Sequence, residues 1–172
     1  MNGETLHDDL AQLWQGAELL LLLLAANGAP VLAKRLLGER CNRPVDGGWR
    51  LPDGQPLLGA SKTWRGLVSG IALAAIVGAA LGFGPVFGAL FGAASLAGDL
   101  LSSFLKRRLG IASSGRATGL DQIPEALLPL LYARAALDLG PADLALLTLG
   151  FLVGSLVLSW LAFRIGLRDQ PY

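Results

Sequence analysis

An aspartate lies inside an apolar segment, residues 86–105, near the middle of this 172-residue chain. Apart from Asp99 and the serines that flank it, the segment consists of apolar or small residues. A carboxylate at the centre of a membrane helix costs about 2.5–3.5 kcal/mol even on lenient insertion scales, so it normally faces a polar cavity. The basic residues Lys106, Arg107 and Arg108 follow about two helical turns later. This combination predicts a functional site near a basic membrane edge.

Hydrophobic residues make up 53% of the chain, which is too large a share for an ordinary soluble domain. A helix needs about 20 residues to cross a bilayer. Five apolar stretches approach that length: 13–33, 67–84, 86–105, 122–139 and 142–163. We therefore expect one membrane domain over residues 1–172, an all-α bundle of five transmembrane helices. The run Asn27-Gly28-Ala29-Pro30 predicts a kink or a break in the first helix, because proline removes a backbone hydrogen bond.

The basic residues predict the orientation of this bundle. Thirteen of the fourteen Lys and Arg residues lie in the loops 34–66 and 106–121 or in the C-terminal tail, and only Arg134 falls within a span. The acidic N-terminus, Asp138 and Asp143 occupy the other side. By the positive-inside rule, the N-terminus lies outside and the C-terminus in the cytoplasm of a multi-pass cell-membrane protein.

Charge and cysteine content argue against two kinds of chemistry. The net charge of only +1 gives no reason to expect a nucleic-acid partner. The single Cys41 allows neither an internal disulfide nor a cysteine metal cluster.

Glycines at four-residue spacing recur in the apolar stretches. The pairs are Gly66 and Gly70, Gly78 and Gly82, and Gly88 and Gly92. In membrane helices this spacing favours close backbone packing, which is a more common role than ligand binding.

The segment 59–66 (GASKTWRG), just before the second span, has features of a phosphate site. It is not a Walker A motif, because Ser61 stands where that motif has the glycine before its lysine. Small residues still expose backbone N–H groups, and Lys62 and Arg65 lie three apart at a helix N-terminus, which suits an anionic phosphate. An anchor at the positive side of the membrane explains the two basic residues equally well.

A polar stripe follows one face of the third span. It contains Ser95, Asp99, Ser102, Ser103 and Lys106, spaced three, four or seven residues from Asp99. Because lipid tolerates such a stripe poorly, we expect it to face the bundle interior. Serines alone would fit a hydrogen-bond zipper between helices, but an unpaired aspartate would not, so a functional role is favoured.

Acidic residues also open the fourth span. Asp121 can serve as the helix N-cap, and it is followed by Gln122 and Glu125. Asp121 and Asp99 are both expected near the cytoplasmic edge, on helices joined by a short loop. Mg²⁺ takes one or two protein carboxylates and fills much of its shell with substrate phosphates. Two carboxylates beside several basic residues therefore predict a magnesium–nucleotide site.

Four blocks of this sequence resemble the CDP-archaeol synthase family, which is related to the CDP-diacylglycerol synthases. They are Ala26–Val31, the segment 59–66, the run from Gly98 to Arg108, and Asp121–Glu125. The resemblance implies a membrane cytidylyltransferase that transfers CMP from CTP to a phosphorylated ether lipid of the digeranylgeranylglyceryl phosphate type. It also implies that Mg²⁺ is required and that pyrophosphate is released during phospholipid biosynthesis.

The resemblance assigns roles residue by residue. Catalytic roles fall to Lys62, Arg65, Asp99 and Asp121, of which the two aspartates would hold the metal. Contacts with the nucleotide or the phosphates fall to Ser61, Lys62, Thr63, Arg65, Ser103, Lys106, Arg107 and Arg108. A cavity open to the cytoplasm would be lined by Asn27 and Pro30 of the broken first helix, with Gln122 and Glu125.

Several alternatives remain open from the sequence. The acceptor could be phosphatidic acid, which would make the activity that of a CDP-diacylglycerol synthase. A CDP-alcohol phosphotransferase is disfavoured, because its DGxxAR pattern is missing. A small transporter could instead bury Asp99 and Arg134 as a pair along a permeation path. A purely structural membrane protein would leave Asp99 unexplained.

Overall fold

The computed structural model describes residues 3–111, 117 and 119–166, which contain five helices. They are α1 (Gly3–Leu37), α2 (Trp64–Ala80), α3 (Pro85–Arg108), α4 (Gln122–Leu137) and α5 (Pro141–Arg164). Each coincides with one of the predicted apolar stretches, so the all-helical architecture is confirmed. Three segments are long and apolar enough to cross a membrane: Leu10–Leu37, Pro85–Arg108 and Pro141–Arg164. With 17 and 16 residues, α2 and α4 are shorter.

The predicted break in the first helix is wrong, because α1 is continuous through Pro30. Proline at this position leaves the carbonyl of Ala26, four residues earlier, without its usual helical donor. A neighbouring helix covers that carbonyl: a Cβ added at Gly70 of α2 would lie only 2.7 Å from Ala26 O. Close packing by a neighbouring helix is a common way in which membrane proteins accommodate proline without breaking the helix.

Glycines bring α2 and α3 into close contact, as their spacing predicted. A Cβ at Gly88 would lie 2.2 Å from the carbonyl oxygen of Ala74, and one at Gly92 would lie 2.6 Å from Ala74 Cβ. Gly78 packs in the same way against Gly88. The packing role predicted for Gly82 is wrong, since Gly82 lies in the turn after α2 with a φ of 87°, and a Cβ added there would meet nothing within 4 Å beyond its two chain neighbours.

The third helix is the centre of the bundle. It packs against α1, α2 and α4, while α5 contacts α1 and α4. One end of the interior is aromatic: the ring of Phe87 lies 5.2 Å from Phe83, 6.0 Å from Phe91 and 5.3 Å from Tyr132, measured between centroids. The other end carries the charged residues that were predicted from the sequence to form a functional site.

Candidate active site at the charged end of the bundle

Two ion pairs join the predicted site residues. Lys62 Nζ lies 2.6 Å from both carboxylate oxygens of Asp99, and Lys106 Nζ lies 2.6 Å from Asp121 Oδ1. The carboxyl group of Glu125 is within hydrogen-bonding reach of that of Asp99. Residues from α3, α4 and the loop before α2 therefore meet in one partly buried cluster of three carboxyl and two ammonium groups. We refer to these five residues as the charged cluster.

The polar stripe of α3 faces the interior, as predicted. Ser95 and Ser102 are completely buried, and Ser103 is nearly so. Ser95 Oγ donates to the Glu125 carbonyl at 2.9 Å and accepts from Asn27 Nδ2 at 2.8 Å. Ser102 Oγ lies 2.9 Å from the Gly98 carbonyl and 3.3 Å from that of Asp121. The serine zipper is confirmed, because Ser95 and Ser102 tie together the helices that carry the acids. The functional role of the stripe stays a prediction.

The segment that carries Lys62 has a defined backbone conformation. Thr63 caps α2, accepting a hydrogen bond from Gly66 N at 3.2 Å, and Thr63 forms an isolated β-bridge with Pro44. Gly59 has a φ of 101°, a value that glycine adopts without strain. Ser61, one residue before Lys62, is exposed.

Two of the predicted phosphate-binding arginines contact the loop between α1 and α2. Arg65 Nη1 donates to the carbonyls of Gly38 and Arg40, just after α1 ends. Arg108 forms an ion pair with Asp53 at 2.6 Å and donates to the Pro56 carbonyl at 2.7 Å. In this structure both side chains hold the loop at the rim of the charged cluster. Their neighbour Arg107 is almost completely buried.

The residues predicted to line the cavity make different contacts. Gln122 Oε1 accepts a hydrogen bond from Gly119 N at 2.8 Å and so closes the turn before α4. Pro30 packs near the start of α2, where a Cβ at Gly66 would lie 3.4 Å from it. Glu125 belongs to the charged cluster, and Asn27 supports it through Ser95.

Asp121 occupies the N-cap position of α4, but its side chain makes no capping hydrogen bond. Its carboxylate instead pairs with Lys106 of α3. The capping role suggested by the sequence is therefore wrong for the side chain, because an ammonium group offers a stronger partner than a backbone N–H.

Sequence reasoning missed Asp46. Its Oδ1 accepts from Gly48 N at 3.0 Å, and its Oδ2 accepts from Leu58 N at 2.9 Å and from Gly59 N at 3.0 Å. Partial burial raises the pKa of Asp46, but these backbone donors outweigh it and hold the pKa below its usual value. The run Asp46-Gly47-Gly48 marks a turn in the sequence, yet nothing in it points to residues a dozen positions ahead.

The importance of Gly98 for helix contact was also missed. A Cβ at this position would lie 2.1 Å from the Pro124 carbonyl oxygen. Only glycine allows α3 and α4 to approach this closely, one residue before Asp99 and one before Glu125. The sequence signal was present, since Gly98 directly precedes the intramembrane aspartate.

The charged cluster fits a metal that arrives with a substrate better than a preformed metal site. Among the residues that the structure describes, no three His, Cys, Asp or Glu side chains form a group that could hold a metal ion alone. Carboxylate oxygens are nevertheless the donors that Mg²⁺ prefers, and phosphates supply much of the remaining shell.

The architecture and the cluster together define an intramembrane enzyme. A solved structure described as an intramembrane enzyme for archaeal membrane lipids biosynthesis matches with a TM-score of 0.66 and 34% identity, over 80% of this chain and 90% of that one. A family model described as CarS-like, CDP-archaeol synthase, matches residues 18–87 and 81–172.

Curated relatives agree with that family. The CDP-archaeol synthase of Thermococcus onnurineus is 32% identical over 86% of this chain and 89% of its own length. That of Hyperthermus butylicus is 41% identical over 66% of this chain and 70% of its own. The chain belongs to the CDP-archaeol synthase family, so the predicted resemblance and the predicted class, a nucleotidyltransferase of membrane lipid synthesis, are confirmed.

The structure also removes the basis for the transporter alternative. That hypothesis needed a buried pair of Asp99 and Arg134, but Asp99 pairs with Lys62 and Arg134 is exposed. Arg134 lies nine residues beyond Glu125 on α4, about 13 Å farther along the helix axis.

Proposed function

We propose that this protein transfers CMP from CTP to a phosphorylated isoprenoid ether lipid of the digeranylgeranylglyceryl phosphate type. The observation that carries the proposal is the charged cluster, in which Lys62, Lys106 and three carboxyl groups meet at one end of a helical membrane bundle. Such a cluster can exchange its internal ion pairs for the phosphates and the metal of a nucleotide substrate. Membership of the family supports the same reaction.

All five helices cross the membrane in this proposal, and residues 1–172 form one domain. The C-terminal ends of α1 and α5 lie together, since Arg35 Nη1 donates to the carbonyl of Gly166. The same end carries Lys62 and the basic residues 106–108, so the positive-inside rule places it in the cytoplasm and the N-terminus outside. The active site then faces the cytoplasm from within the cell membrane.

Asp99 and Asp121 are the proposed ligands of Mg²⁺, and Glu125 lies next to them. The two aspartates would hold the ion, whose chemistry would be to neutralise negative charge on the nucleotide phosphates. Lys62 pairs with Asp99 in the structure, and we expect it to exchange this partner for a phosphate oxygen when the nucleotide binds. Ser61, Thr63 and Ser103 lie beside these groups in the chain and complete the proposed phosphate contacts.

In the reaction, an oxygen of the lipid phosphate attacks the α-phosphorus of CTP. A new P–O bond forms as the bond between the α- and β-phosphates breaks, and pyrophosphate leaves. The lipid phosphate is already an anion at neutral pH, so no strong base is required. Lys62, Lys106 and Arg107 supply positive charge where negative charge accumulates, and orientation by the packed helices contributes the rest. Arg65 and Arg108 hold the rim loop and can reach a phosphate only by giving up those contacts.

The test is cytidylyl transfer by the purified protein in liposomes. Labelled CTP and Mg²⁺ are offered with digeranylgeranylglyceryl phosphate or with phosphatidic acid, and Asp99→Asn serves as the inactive control. A labelled lipid from the ether phosphate alone is the expected result. Product from phosphatidic acid alone would assign the diacyl acceptor instead. No labelled lipid from either, with a folded protein, would contradict the proposed reaction.

A further inference from the structure

The loop between α1 and α2 contains a carboxylate outside the charged cluster that holds two parts of the loop together. Asp46 accepts hydrogen bonds from the backbone N–H groups of Gly48, Leu58 and Gly59. The donors at 58 and 59 are twelve and thirteen residues away in the sequence. Asp46 is thus a side-chain cross-link between two stretches of a loop whose backbone is otherwise joined by isolated β-bridges, Pro44 with Thr63 and Arg50 with Pro56.

Both stretches that meet at Asp46 also hold the backbone of Lys62. The N–H of Lys62 donates to the Gly59 carbonyl at 3.2 Å, and its carbonyl accepts from the N–H of Val45 at 2.8 Å. Asp46 binds the N–H of Gly59 directly and is the next residue after Val45. The two backbone contacts of Lys62 are therefore held at a fixed separation by one carboxylate.

We propose that Asp46 is a positioning residue that acts on the reaction through Lys62. Without the carboxylate, Leu58 and Gly59 lose their acceptor, and the turn before Lys62 keeps only the backbone contacts of residues 62–64 with residues 43–45. The Lys62 ammonium group is then no longer held in position beside Asp99 and an incoming phosphate. A displacement of about 1 Å at such a group can cost a hundredfold in rate. The inference rests on the proposed function in one respect only, the assignment of Lys62 to nucleotide binding.

Asp53 provides a matched control in the same loop. Its Oδ1 accepts from Gln55 N at 3.0 Å, which is the same short turn contact that Asp46 makes with Gly48. Asp53 pairs with Arg108 rather than with the turn before Lys62. Asp46→Ala and Asp53→Ala therefore remove a similar local contact, but only the first removes the connection to residues 58 and 59.

The experiment is a double-mutant cycle on CTP kinetics, with CTP·Mg²⁺ affinity measured separately by calorimetry. Asp46→Ala should raise the KM for CTP at least about tenfold and weaken CTP affinity, with the KM for the lipid unchanged. Asp46→Asn should recover part of the loss, and Asp53→Ala should stay within about threefold of the parent protein. In a Lys62→Gln background, Asp46→Ala should change kcat/KM by less than about twofold, because coupled residues are not additive.

Effects of Asp46→Ala and Lys62→Gln that multiply would overturn the inference, as would an unchanged KM or CTP affinity in Asp46→Ala. A lower unfolding temperature with unchanged KM would assign Asp46 a structural role only. If the parent protein binds CTP but forms no labelled lipid, the proposed function fails, and the calorimetric comparison still decides the role of Asp46. If the parent protein does not bind CTP, both proposals fail.

Discussion

At one end of the bundle four aromatic rings pack together, whereas at the other end ammonium and carboxyl groups face each other. Phe91 at the aromatic end is completely buried, and nothing from solution can replace the contacts that its ring makes. The partners of Lys62 and Lys106 are different, since an incoming phosphate or metal ion offers interactions of the same kind. The aromatic end can therefore hold the fold constant while the charged cluster changes partners.

Glycines serve both ends, but for different purposes. Near the aromatic end, Gly88 lets α3 pack on α2. At the charged end, Gly98 lets α3 pack on α4 and sets the distance between two acidic side chains. Substitutions at the aromatic end should therefore mainly reduce stability, whereas substitutions at the charged end should mainly reduce turnover.

The largest effect is expected from removing a carboxylate of the cluster. Asp99→Asn and Asp121→Asn should each lower kcat/KM by roughly three orders of magnitude, because charge neutralisation at the reacting phosphates is lost. Both proteins should remain folded and inserted in the membrane. The measurement is labelled CTP turnover together with size-exclusion profiles in detergent.

Asp138→Asn is the matched control at the other end of the molecule. Asp138 is exposed and has a φ of 51°, a conformation that asparagine tolerates well. This variant should keep full activity. Retained turnover in Asp99→Asn would refute the proposed metal-ligand role.

The next largest effect concerns the contact between α3 and α4. Gly98→Ala places a methyl group 2.1 Å from the Pro124 carbonyl, and overpacking of this kind costs about 1–3 kcal/mol. Because the displaced helices carry Asp99 and Glu125, activity per folded molecule should fall about a hundredfold as well. Gly154→Ala in α5, where no atom lies within 4 Å of the added methyl, should change neither quantity. Normal kcat/KM in folded Gly98→Ala would break the proposed link between this contact and the site.

At the aromatic end, Phe91→Ala should cost about 3–5 kcal/mol of unfolding free energy, because it leaves a cavity in the core. The protein that stays folded should keep the KM for CTP of the parent. Thermal unfolding and kinetics on the same preparation test both statements. A tenfold rise in KM without loss of stability would show that the two ends are not independent.

The smallest effect is expected at the rim. The ion pair between Arg108 and Asp53 is partly exposed, so its loss should cost about 0–1 kcal/mol. Arg108→Ala and Asp53→Ala should each change the KM for CTP by less than about threefold. If Arg108→Ala alone raised KM tenfold, Arg108 would be a phosphate-binding residue, as the resemblance to the family implies.

Many features of this protein depend only on local sequence and could therefore be predicted from it. The lengths of the apolar stretches predicted the positions of all five helices, because a helix satisfies its own backbone hydrogen bonds wherever lipid surrounds it. Asp99 and the basic residues after it predicted the charged end, since an acid inside a membrane segment needs a polar partner. Glycine spacing predicted close helix packing, because small residues permit it regardless of what lies elsewhere, and the structure shows that α2 and α3 are the partners.

The hydrogen-bond and ion-pair partners of these residues depended on the tertiary structure. Pro30 could have broken α1, but Gly70 of α2 covers the exposed carbonyl of Ala26 and the helix continues. Arg65 and Arg108 contact carbonyls and a carboxylate of the rim loop, although phosphate contacts were expected for both, from the spacing of Lys62 and Arg65 and from the family resemblance of Arg108.

Asp46 reaches residues that are distant in the chain, and the pairing of Lys62 with Asp99 joins residues 37 positions apart. Composition and periodicity describe what each segment can bury, so the sequence by itself determined the helices and the charged end. Which charged side chains form ion pairs depends on the distances between segments of the chain, and helix packing sets those distances.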